Sequence, residues 1–187
     1  VKSADDFGAA LELVSARRYV VDPTTPAELA DHRIVALEIP TRPYADLLYD
    51  LVGMSDGPIL LAMGYPEVGD LLRILEEKLQ SFLPRLLAIP ADVAYSPDNL
   101  DRQFIAPAVF DEHLADSYGR TVATLGETPL VVHAGGPVRD LLAPLKAAGV
   151  KAVEGVCGPP QSDASLSESR VVAGDGLALW GGIAQDM

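Results

Sequence analysis

The residues best suited to chemistry sit at the ends of short apolar runs. His133 follows Leu130-Val131-Val132 and precedes Ala134-Gly135-Gly136. An imidazole placed there can bind a ligand, carry a proton near neutral pH or contact a substrate; the plain alternative is a partly buried histidine bonded to backbone. Glu154 lies between Val153 and Gly155 in a second apolar run. If that run is a strand, the carboxylate points away from its neighbours' face, where a charge is costly unless paired. Asp98 and Asn99, with Asp101 and Arg102 just beyond, follow a third run and can position a polar substrate, although Asp beside Pro97 also suits an ordinary turn. Trp180 can stack on a flat ring or serve as core. The glycine pairs Gly135-Gly136 and Gly181-Gly182 allow tight turns and close approach of a ligand to backbone. The catalytic candidates are therefore His133, Asp98 and Glu154, and the substrate contacts Asn99, Arg102, Gly135, Gly136, Trp180, Gly181 and Gly182.

Composition limits what these groups can do. The chain has 187 residues, 27 acidic against 14 basic, and a net charge of −13, which disfavours nucleic acid and anionic membrane surfaces as partners. One cysteine, Cys157, rules out an internal disulfide and a cysteine-rich zinc site, and fits a reducing, cytoplasmic setting. No run of about 18 apolar residues suggests a membrane span. The first residues, Val1 to Asp6, lack a secretory pattern.

The elements that must position these residues alternate between helix and strand. Ser3 can cap a helix bearing Phe7, Ala10, Leu11 and Val14, and Thr25-Pro26-Ala27-Glu28 reads as a capping box opening a second. Ile34 to Ile39 reads as a strand and Tyr44 to Val52 as a short helix, while Gly53 to Gly64 stays unassigned. Pro66 opens the longest helix, with Val68, Leu71, Leu72, Leu75, Leu79 and Phe82 on one face and Pro84 expected to kink or end it. Asp92 to Tyr95 reads as a strand, with Ser96 to Asp101 a polar loop after it. Pro107 begins a helix carrying Phe110, Leu114, Tyr118, Val122 and Leu125, and Pro137 begins another. Gly149 sits at a helix stop, Ala152 to Val156 and Leu177 to Trp180 read as strands, and a short helix is expected near Leu166 to Ala173. Such alternation predicts a parallel α/β sheet, either doubly wound or a (β/α)8 barrel. No dinucleotide or P-loop fingerprint and no fixed-period repeat is visible.

Several stretches then align with one family. Asp92-Val93 leading into Asp98-Asn99 and Ala106-Pro107-Ala108-Val109-Phe110, the segment Pro129 to Gly136, Leu141-Leu142 with Ala148-Gly149-Val150, and Leu177 to Ile183 together resemble the uroporphyrinogen decarboxylase superfamily, including its corrinoid methyltransferase-like branch. Leu51 to Met54 and Tyr65 to Val68 fit the same template more loosely. The resemblance covers most of the chain from about residue 45. It implies a TIM-type (β/α)8 barrel enzyme with its site on the loops after the strands, here a single domain over residues 1–187 that lacks some N- and C-terminal barrel units. It implies a small-molecule substrate, a tetrapyrrole or a corrinoid-linked one, with decarboxylation of porphyrinogen side chains, a lyase reaction of porphyrin biosynthesis, as the first reading. The alternatives are a methylcorrinoid-dependent methyltransferase with a degenerate zinc site, or a non-catalytic binding member.

Departures from the family pattern bear on that choice. The methyltransferase branch binds zinc through the histidine and a cysteine two residues later, but Gly135 occupies that place. The decarboxylase branch's arginine-rich N-terminal signature has no counterpart. The expected site therefore holds no metal and no cofactor. An incomplete barrel would expose sheet edges, so association into a homo-oligomer is also expected.

Overall fold

The structure, a computed structural model, describes residues 1–21 and 33–183. The capping box at Thr25 to Glu28 lies outside the described residues.

Ser3 and Asp6 cap a single 3-10 turn that leads into α1 (Phe7–Ala16), whose Phe7, Ala10 and Val14 are buried. After β1 (Ala36–Glu38), the chain forms α2 (Pro43–Asp46), which passes directly into a π-helical segment, Leu47–Val52. The unassigned stretch contains α3 (Gly57–Ala62). α4 (Pro66–Leu86) buries the expected face and runs two residues past Pro84. The proline is exposed, and the turn around it is closed by the Leu87 amide donating to the Leu83 carbonyl at 3.2 Å. One lost donor on a solvated face therefore does not end the helix.

β2 (Val93–Leu100) overturns the expected loop after Tyr95. Ser96, Asp98 and Leu100 alternate inward as strand residues, and the polar pair is tolerated there because each has a partner. The register against β3 shifts between Ser96 and Leu100, where Pro97 supplies no amide and Asn99 adopts a left-handed φ of 52°. The next helix is nearly continuous: α5 (Pro107–His113) and α6 (Ala115–Leu125) are separated by Leu114 alone, and Phe110, Leu114, Tyr118 and Leu125 bury one stripe. β3 (Leu130–Ala134) extends through His133. The helix after it starts later than Pro137, with a 3-10 turn at Arg139–Leu141 before α7 (Leu142–Ala147). Gly149 takes φ 94° at the stop. β4 (Ala152–Val156), α8 (Leu166–Ala173) and β5 (Ala178–Gly181) complete the chain.

All strand pairs are parallel, and the order in the sheet is β1-β2-β3-β4-β5. One face is sealed: Ala94, Leu100, Leu130, Val132, Ala134, Val153 and Val156 join the helices' Leu71, Leu75, Leu79, Leu83, Tyr118, Leu142 and Leu145 in one core. The other face, carrying Glu38, Tyr95, His133, Glu154 and Trp180, remains at least partly open. A doubly wound sheet would carry helices on both faces. Sequential order with one sealed face is instead the geometry of part of a (β/α) barrel, with the open face corresponding to the barrel interior. No helix among the described residues is long and apolar enough to cross a membrane.

Candidate functional site

The period of two along parallel strands sets the site. His133 on β3 pairs in register with Glu154 on β4, and Glu154 with Trp180 on β5, so three side chains stand in a row on the open face. His133 Nδ1 lies 2.5 Å from Glu154 Oε2. Tyr95 on β2 stands level with Val131, one layer below His133, and its longer side chain reaches the same oxygen, donating from its hydroxyl to Glu154 Oε2 at 3.2 Å. The Tyr95 and His133 rings lie 6.4 Å apart between centroids. Both members of the His–Glu pair keep solvent access, with side-chain exposures of 31% and 26%.

This arrangement fixes the imidazole. A carboxylate that accepts from Nδ1–H selects the tautomer in which Nε2 carries the lone pair. Nε2 makes no hydrogen bond among the described residues and is free to accept a proton. The Tyr95 hydroxyl is pushed up to about 12 by burial first, then by the charge and hydrogen bond of Glu154 and by the charges of Glu38 and Asp98. It therefore remains a donor to Glu154 throughout the physiological range.

Glycines let the backbone come this close. Gly155, at φ 85°, sits in the β4 irregularity, where a Cβ would overlap the Ala134 carbonyl oxygen and stand 3.3 Å from His133 Cε1. A Cβ at Gly135 would overlap the Asn99 amide, and one at Gly136 the Asp101 carboxylate. Gly181 is packed as tightly against the Val156 backbone, and Gly182 against Leu166.

The remaining sequence-derived residues divide clearly. Trp180 is 64% exposed on the open face. Asn99 is exposed at the end of β2, with its carbonyl accepting from Tyr49 Oη at 2.8 Å. Arg102 is already engaged: its guanidinium meets Asp140 and Asp163, both at 3.2 Å, and so ties together the loops after β2, β3 and β4. Asp98 does not join the site. It points to the sealed face, fully buried, and accepts from the Arg42 amide at 2.6 Å, Ser96 Oγ at 2.8 Å and Tyr118 Oη at 2.5 Å. Arg42 is equally buried, bonded to Thr121 and to the Pro40 carbonyl. Asp98 thus satisfies buried donors and is a structural residue. Tyr95 was missed in the sequence. The signal was the alternation of Val93, Ala94 and Tyr95, which places the phenol on the same face as His133.

The zinc that the resemblance brings to mind does not fit these side chains. Gly135 offers no donor beside His133, and Cys157 is buried with its thiol directed to the Ile183 carbonyl at 3.4 Å. Among the described residues no three His, Cys, Asp or Glu side chains converge as ligands, short of the roughly three protein ligands a catalytic zinc needs.

Fold and site together define a segment of a parallel (β/α) barrel with a hydrogen-bonded histidine–glutamate pair on its open face. The chain is similar in fold to a methyltransferase from Methanosarcina mazei, with a TM-score of 0.66 and 16% sequence identity. The match covers 97% of this chain and 51% of that one, so the chain spans about half the length of the methyltransferase. No protein-family model and no curated protein sequence matches the chain.

Proposed function

We propose that the chain carries the strand-end site of a methyl-transferring barrel enzyme acting on a corrinoid-linked methyl group, in which the His133–Glu154 pair replaces a metal as activator of the acceptor. The observation that supports this reading most is the 2.5 Å contact that leaves His133 Nε2 free on the open face. Methyl transfer to a thiol requires that the sulfur lose its proton. His133 Nε2 takes that proton as the sulfur–carbon bond forms, and the bond between the methyl group and its carrier breaks with its electron pair left on the carrier. Glu154 stabilises the imidazolium that results, and Tyr95 holds Glu154 in place. The exposed indole of Trp180, in register beside Glu154, offers a flat apolar surface to a macrocycle.

The test is to mix the protein with methylcobalamin and a series of small thiols and follow the corrinoid absorbance. Demethylation is expected, slowed on the order of 10²-fold by His133→Ala, as general bases usually contribute. Demethylation that is indifferent to His133, or none with any thiol, would sink the reading. Loss of carbon dioxide from a porphyrinogen would favour decarboxylation, and binding without turnover would favour a silent member.

A further inference from the structure

A second cavity lies between the end of α1 and the C-terminal half of α4, and none of Tyr95, His133 and Glu154 lines it. Four of the 14 basic residues of this acidic chain, Arg17, Arg18, Lys78 and Arg85, line one cavity of about 170 Å3 with Ser81. Among the described residues, Asp46 is the one carboxylate in ion-pair contact with any of them, and it meets Arg17. Lys78 Nζ is held in place by donating to the Ser15 and Arg17 carbonyls at 2.9 Å each, which leaves one of its three protons free. The Arg85 guanidinium is stacked 5.4 Å from the centroid of the Phe82 ring, and Arg18 is exposed. Arg18 and Arg85 have no carboxylate partner among the described residues, and like charges held this close repel one another. In a chain with 27 acidic side chains, such a gathering is stabilised when an anion enters.

The floor of the cavity adds a second property. Tyr19 and Phe82, with ring centroids 5.2 Å apart, line this basic cavity and also a neighbouring one of about 410 Å3. The neighbour is walled by Val21, Leu37, Ile39 and Leu86 together with the polar Glu38 and Thr41. A basic compartment and a mixed one thus share two aromatic rings.

We propose that this paired cavity binds an organic phosphate, with the phosphoryl group against Arg18, Lys78 and Arg85 and a flat body over Tyr19 and Phe82. Arginine suits the head because its planar fork matches phosphate oxygens. The aromatic pair suits a ring-bearing body.

Calorimetric titration at low salt with AMP as the probe tests this, alongside adenosine and inorganic phosphate. AMP is expected to bind, and Arg18→Ser or Arg85→Ser to weaken it by about tenfold or more, the loss typical of one charge-assisted hydrogen bond. Both arginines are exposed, so the variants should keep the parent's circular dichroism, and Arg85→Lys should retain part of the affinity. Adenosine and phosphate alone should each bind at least about tenfold more weakly than AMP. No heat with AMP at millimolar concentration, affinity untouched by both serine variants, or phosphate binding as tightly as AMP would each overturn the proposal.

Discussion

Gly135 and Asn99 occupy one another's space: the Asn99 amide lies where a Cβ on residue 135 would stand. Asn99 itself adopts a left-handed backbone at φ 52°, and its carbonyl is held by Tyr49. Gly135→Ala should therefore cost about 1–2 kcal/mol in urea unfolding, and the cost should shrink when Asn99→Ala is also present, since contacting residues are not additive. Equal costs in the two backgrounds would show that the contact is not what excludes a side chain. The same geometry bears on zinc. Gly135→Cys alone should not gain stoichiometric metal, because Asn99 crowds the new side chain and no third ligand stands beside it among the described residues; metal analysis of the variant checks this.

Gly155 presents a harder case. Its missing side chain faces the Ala134 backbone carbonyl, which cannot rotate away as an amide can, and its φ of 85° disfavours other residues. Gly155→Ala should destabilise by about 3 kcal/mol or more, beyond Gly135→Ala. It should also disturb His133. Denaturant midpoints of the two alanine variants, measured side by side, rank them directly.

Asp98 and His133 should separate in an activity assay. Removing the buried Asp98 carboxylate strands Tyr118, Ser96 and the Arg42 charge, so Asp98→Ala should cost about 3–5 kcal/mol of stability. Turnover per folded molecule should survive it, whereas His133→Ala should fold normally and turn over on the order of 10²-fold more slowly. The reverse pattern would return Asp98 to the chemistry.

Alkaline pH probes Tyr95. Its phenol is raised to about 12 in the fold, against about 10 in an unfolded chain. Below pH ~10 both states hold the proton and the stabilisation is complete; between pH ~10 and 12 the unfolded state ionises first and stability falls. Tyr118 and Tyr49 are raised by burial and nearby carboxylates and add to the same decline. Tyr95→Phe should flatten part of it in denaturation curves taken at pH 9 to 11. An unchanged slope would mean that the fold does not raise the Tyr95 phenol.

Much of the frame was legible in the sequence because strong periodicity and backbone punctuation agree there. Pro66 with its leucine stripe, Gly149, and the runs at Ala152 and Leu166 each fell where expected. Polar residues misled where tertiary partners override their local preference. Ser96-Pro97-Asp98-Asn99 has turn composition, yet Arg42 and Tyr118, distant in sequence, satisfy Asp98 and let β2 continue. The pairing of His133 with Glu154 was readable only as two separate candidates. What joins them is the register of β3 against β4, which no local pattern encodes. The choice between a barrel and a doubly wound sheet likewise depended on where the helices lie, since either arrangement yields the same alternation.

The order β1 to β5 has a consequence for how such a chain is built. Each strand pairs with the strand next along the polypeptide, and apart from β1 with β2, which α2 to α4 separate, each pairing joins neighbouring units. Structure can grow one strand–helix unit at a time, with a modest loop-closure penalty at each addition. The same property lets a chain be lengthened or shortened at a terminal strand while its inner units keep the neighbours they had.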